Sequence, residues 1–125
     1  MELEMSLITQ SYSDLIGEDF RFEHPQWGRV FVRNKRPKNV EQFTSSRVVV
    51  LQHGATYGST AFDMPFSGFS FMDYLAGHGF DAYCLDLPGY GNSDRPAQMS
   101  EPPEENPPFM RTPDASDCLG FVCDK

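Results

Sequence analysis

Two glycine-containing stretches hold the residue types and spacings that could do chemistry. His53-Gly54 ends an apolar run, Val48-Val49-Val50-Leu51-Gln52. Pro88-Gly89-Tyr90-Gly91-Asn92-Ser93-Asp94 follows Phe80-Asp81-Ala82-Tyr83-Cys84-Leu85-Asp86-Leu87. Both apolar runs read as strands, and in an open α/β sheet ligands bind beyond the carboxyl ends of strands. The two loops therefore belong at one edge of one sheet. Gly89-x-Gly91 imitates a dinucleotide fingerprint, whose glycines let backbone amides approach a pyrophosphate. Asp94 replaces its third glycine and no helix opens there, so the phosphate cradle is missing. Cys118 and Cys123 are five residues apart with no histidine near, which is not a zinc spacing; they read as buried structural thiols. His78, within Gly77-His78-Gly79, suits a helix end, where a cation complements the dipole.

The elements that must position these loops follow from periodicity. Residues 1–17 are a weak leader without assignment. Phe20 and Phe22 share a face at period 2, which predicts a strand over 18–24, stopped by Pro25. Residues 29–33, Arg-Val-Phe-Val-Arg, predict a second strand. Asn34 to Ser46 reads as a loop, with Arg33, Lys35, Arg36 and Lys38 as a solvated basic cluster. The run 47–52, with three consecutive valines, reads as a parallel strand buried on both faces. Phe69, Met72, Leu75 and Ala76 form a helical stripe, stopped by Gly77 and Gly79. The aromatic group Phe62, Phe66, Phe69, Phe71 and Tyr74 reads as mostly core, with one or two members available to line an apolar pocket. A strand over 81–87 completes a βαβ unit, with its two strands parallel. Residues 88–113 form a long connection that holds Pro96, Pro102, Pro103, Pro107, Pro108 and Pro113. Helix signals return at Thr112, where Thr112 can cap, Pro113 suits the first turn, and Asp114 and Asp117 suit the dipole.

Val-Val-Val-Leu-Gln-His53-Gly54, a helix, then a strand ending in Asp86 and Gly89-Tyr-Gly91-Asn-Ser93 together resemble the N-terminal part of an α/β-hydrolase. The resemblance covers about residues 18–125 and is strongest from 47 to 96. It implies an α/β fold: an antiparallel strand pair, then parallel strands joined by a crossover helix. It implies hydrolysis of an ester or related small-molecule bond through an acyl-enzyme, without a cofactor. Acyl transfer develops an oxyanion, and a backbone N–H in the loop after the strand can point at it. By resemblance the donors are the amides of Ala55 and Thr56, His53 holds the loop, and Gly54 lets the chain turn sharply. Asp86, Gly89, Gly91 and Ser93 shape the second loop, with Ser93 bonded to backbone. The chain departs from the family at the nucleophile. No Ser, Cys or Asp has glycine at both −2 and +2; Ser70, Ser93, Asp19 and Asp81 have it before only, and Cys118 after only. The histidines are His24, His53 and His78, all ahead of where a triad base belongs. The expectation is a partial hydrolase domain over 18–125 that ends before its catalytic residues, with none in this chain. The alternative is a non-catalytic α/β module that binds a small apolar ligand or a partner chain. A self-sufficient enzyme of unusual chemistry ranks last.

Composition removes other classes. The chain has 125 residues, 10 Lys and Arg against 18 Asp and Glu, and a net charge of −8. Nucleic-acid binding needs a basic footprint and is set aside. No apolar run approaches the roughly 20 residues of a membrane helix, and the N-terminus lacks a basic signal-peptide region. Three cysteines do not suggest a disulfide framework, and the expected setting is cytoplasmic. The expected partners are a small-molecule substrate and any chain that associates through an open sheet edge.

Overall fold

The computed structural model describes residues 14–54, 58–64, 70–95 and 112–124. Four strands form one sheet in the order β1-β2-β4-β3, with β1 Leu15–His24, β2 Gly28–Pro37, β3 Val48–Gln52 and β4 Asp81–Asp86. β1 and β2 are an antiparallel hairpin, β2 pairs antiparallel with β4, and β3 pairs parallel with β4. The expected antiparallel pair and parallel neighbours are therefore both present. At the hairpin turn the His24 Nδ1 accepts from the amides of Gln26 and Trp27, at 3.0 and 3.3 Å.

Helix α1, Phe71–Gly77, connects β3 to β4. The Ser70 hydroxyl caps it by accepting from the Asp73 amide, and the chain leaves it at Gly79, whose φ is 89°. Its buried stripe is Met72 and Ala76, with Leu75 half-buried, as the spacing predicts; Phe69 lies outside the described residues. Helix α2 spans Thr112–Cys123. The two helices serve opposite faces because residues alternate sides along a strand. Val30, Val32, Leu85 and Leu87 pack with Cys118 and Val122 of α2. Ala82 and Cys84 pack with Met72 of α1. Among the described residues no helix is long and apolar enough to cross a membrane.

Several expectations are corrected. β1 begins at Leu15, so Leu15 to Gly17 join the sheet. β2 continues through Asn34, Lys35 and Arg36 to Pro37, so the basic cluster is not a solvated loop. Three of its charges are matched: Arg33 pairs with Asp19 and Asp63, Lys35 with Asp63 and Asp73, and Arg36 with Glu18, while Lys38 lies past the strand and is exposed. Burial pushes the Asp63 carboxyl up, but Lys35, Ser70 and Arg33 outweigh it and hold it below the usual range. β3 is not buried on both faces: Val48 is 41% and Val50 38% exposed, since β3 is the edge strand of the described sheet. Phe71 and Tyr74 stack on each other in solvent rather than in the core, while Phe62 does pack inside; Phe66 lies outside the described residues. Cys118 is buried but Cys123, at the end of α2 beside a groove, is exposed.

Candidate functional site

β3 and β4 run parallel, so the loops that leave them emerge at the same end of the sheet. His53 and Gly54 follow β3 directly, and Leu87 and Pro88 follow β4. Two side chains join these loops. The buried His53 ring accepts at Nε2 from the Leu87 amide at 3.0 Å, and its Nδ1 lies 2.6 Å from the Gly54 carbonyl. The Tyr90 ring packs against it, with centroids 4.5 Å apart.

Asp86 is the second tie. It is 1% exposed, yet its carboxylate is satisfied by backbone: Oδ1 accepts from the Ser59 amide at 2.7 Å and Oδ2 from the Asn92 amide at 3.0 Å. A buried carboxylate is tolerated when amide donors replace its water. The loops close so tightly on it that side chains are excluded. A Cβ on Gly91, whose φ is +47°, would fall 2.3 Å from Oδ2, and one on Gly58 would fall 2.9 Å from Oδ1. Asp86 therefore grips the first loop at Ser59 and the second at Asn92.

The second loop is stitched to the hairpin as well. The Ser93 hydroxyl accepts from the Phe31 amide at 2.8 Å and donates to the Asp86 carbonyl. The Gly89 amide donates to the Asp94 carbonyl, the Asp94 amide to the Arg29 carbonyl, and the Arg29 amide to the Asp94 carboxylate. Ser93 is thus buried with both hydrogen-bonding roles of its hydroxyl taken, which leaves it no geometry for attack. Cys84 is no better as a nucleophile, because burial pushes its thiol up to about 11. The same cause pushes Cys118 up to about 11.

His53, Gly54, Asp86, Gly89, Gly91 and Ser93 are thus brought to one end of the sheet. Ala55 and Thr56 lie outside the described residues. Gly54 needs correction on its physical reason: its φ is not left-handed, and among the described residues a Cβ there meets nothing within 4 Å. Gly58, Ser59 and Asn92 escaped the sequence reading. Glycine at 58, where φ is not left-handed, was the available signal that backbone comes close to another group there. Asp94 was noticed only as a missing glycine, while its carboxylate in fact fastens the loop to Arg29. Among the described residues no group of three or more His, Cys, Asp or Glu could hold a metal ion.

A family model described as the alpha/beta hydrolase family matches residues 48–124. Among solved structures, the crystal structure of a hypothetical protein from Pseudomonas aeruginosa is similar, with a TM-score of 0.50 and 16% identity. The match covers 73% of this chain and 26% of that one, so this chain spans about a quarter of that relative's length. At this identity the likeness speaks for the fold alone. No curated protein matches the sequence.

Proposed function

The chain belongs to the alpha/beta hydrolase family, and from that premise we propose that it is the N-terminal part of a hydrolase that cleaves an ester or related small-molecule bond through an acyl-enzyme. Its contribution is the oxyanion loop. The observation that carries this reading is the double tie on the loop after β3. His53 fastens it to Leu87 at one end, and Asp86 fastens it through Ser59 at the other. Oxyanion donors lower a barrier only when they are held in place before charge develops, so they need no reorganisation during reaction. The amides of Ala55 and Thr56, between the two tied ends, are the proposed donors. The nucleophile and its histidine belong to further polypeptide, because no Ser, Cys or Asp of this chain has glycine at both −2 and +2. The open side of the sheet supports that assignment. A groove of about 620 Å³, lined in part by Phe22, Val48, Val50, Tyr83 and Val122, lies over the α2 face of the sheet and reaches β3, the edge strand among the described residues.

Two experiments test the reading. The purified chain is expected to hydrolyse no short-chain aryl ester above background. Removing triad members from an intact site leaves a residual ~10³–10⁴ over water, and less is expected where half the oxyanion hole is also absent. Turnover that survives Ser93→Ala contradicts the partial-hydrolase reading, and turnover abolished by it contradicts the structural role of Ser93. The transcript is expected to continue past codon 125 into Gly-x-Ser-x-Gly and a later histidine. The missing nucleophile also favours a second reading, a non-catalytic binding module, and a stop codon at that point selects it.

A further inference from the structure

His53 is 5% exposed, and both of its ring nitrogens are committed. The Leu87 amide can only donate, so Nε2 faces it as a lone pair without a proton. The ring proton therefore sits on Nδ1 and is donated to the Gly54 carbonyl. One neutral imidazole thus bridges a carbonyl on the first loop and an amide at the start of the second. An imidazolium has two donors and no acceptor. A proton added at Nε2 sets N–H against the Leu87 N–H, and that amide, on a buried residue, loses its partner.

The surroundings decide what such a proton meets. Tyr90 of the second loop packs on the ring. From β4 the nearest carboxylate in sequence is Asp86, whose two oxygens are turned to the Ser59 and Asn92 amides. β3 contributes uncharged Gln52, and the turn Ser59–Phe62 has no titratable group. Among the described residues no carboxylate pairs with the ring.

We propose that His53 is a pH-sensitive latch. In its neutral Nδ1–H form it fastens the loop after β3 to the loop after β4. Protonated on Nε2, it releases Leu87 while the Asp86 tie stays closed. The latch does not depend on the hydrolase reading, and its test reads single amides rather than turnover. The experiment is nuclear magnetic resonance on the ¹⁵N-labelled 125-residue chain, at a dilution and temperature where sedimentation shows a folded monomer. At the alkaline end, long-range ¹H–¹⁵N correlations are expected to show the Nδ1–H tautomer of His53. From about pH 8 to about pH 5, the Leu87 amide is expected to lose about tenfold of its exchange protection, corrected for intrinsic exchange. The Ser59 and Asn92 amides keep theirs. His53→Gln, whose side-chain oxygen accepts from Leu87 but does not titrate, is expected to hold Leu87 protection constant over the same range. An Nε2–H tautomer at the alkaline end overturns the proposal. So does Leu87 protection that ignores pH, the same loss in His53→Gln, or a loss shared by Ser59 and Asn92.

Discussion

β3 and β4 are neighbouring parallel strands with similarly apolar sequences, yet they live in different environments. β4, Asp-Ala-Tyr-Cys-Leu-Asp, is buried at every position except half-buried Tyr83. β3, Val-Val-Val-Leu-Gln, has no fully buried residue. The difference is position. β4 has β2 on one side, β3 on the other, and a helix over each face. Among the described residues β3 has one paired edge and a groove along its face. An apolar sequence records the environment a strand suits, and its place in the sheet decides what it meets. At its C-terminal end β3 is nonetheless closed, because His53 and Asp86 tie the loop that follows. The chain therefore secures the loop end of the sheet more completely than its flank.

The largest effect expected from this contrast comes from truncation. Leu85→Ala in β4 should cost about 3 kcal/mol, the loss for a buried leucine whose cavity does not collapse. Val50→Ala in β3 should cost less than about 1 kcal/mol, since much of its surface is already in water. Urea unfolding of the two variants measures both, and equal costs would erase the contrast. Asp86→Asn should cost about 2 kcal/mol, because an amide offers one acceptor oxygen to two backbone donors. It should also raise exchange at Ser59 and Asn92 before any other amide.

Acid probes the polar seam under α1. The folded Asp63 carboxyl is held below its ordinary value, so its contribution is present above the unfolded value of about 3.9 and is lost as pH falls through the folded one. Stability should therefore decline below about pH 4, and Asp63→Asn should flatten that decline. The smallest effect is chemical. Iodoacetamide at neutral pH should label exposed Cys123, beside the groove, and spare Cys84 in β4, which is buried with its thiol pushed up to about 11. Labelling of Cys84 at a similar rate would mean that β4 opens as readily as the flank.

The pattern in the sequence matches this anatomy unevenly, for physical reasons. Period-2 phenylalanines, the helical Met72–Ala76 stripe and the glycine stops locate the strands and α1, because each is a local signal. β2 runs past its expected end because Asn34, Lys35 and Arg36 look like loop residues taken alone. They belong to a strand because Glu18 on β1, Asp81 on β4, Asp63 after the turn Ser59–Phe62 and Asp73 on α1 wait for them, which is non-local information. Edge or centre was illegible for β3 for the same reason. At the site, His53, Asp86, Gly91 and Ser93 stood out by type and spacing. Ser59 and Asn92 did not, since they act through backbone amides that every residue but proline possesses.

The proposal that further polypeptide joins β3 is tested most directly by thermal unfolding of the isolated 125-residue chain, with sedimentation on the same sample. Exposed Val48 and Val50 on a strand edge that no described strand pairs remove part of a net stability of only about 5–15 kcal/mol, and such an edge is a template for association. A broad transition below about 50 °C, from a sample that self-associates, is the expected result. A sharp, cooperative transition well above that temperature from a clean monomer would contradict it, because the chain would then be a finished domain with nothing left to join β3.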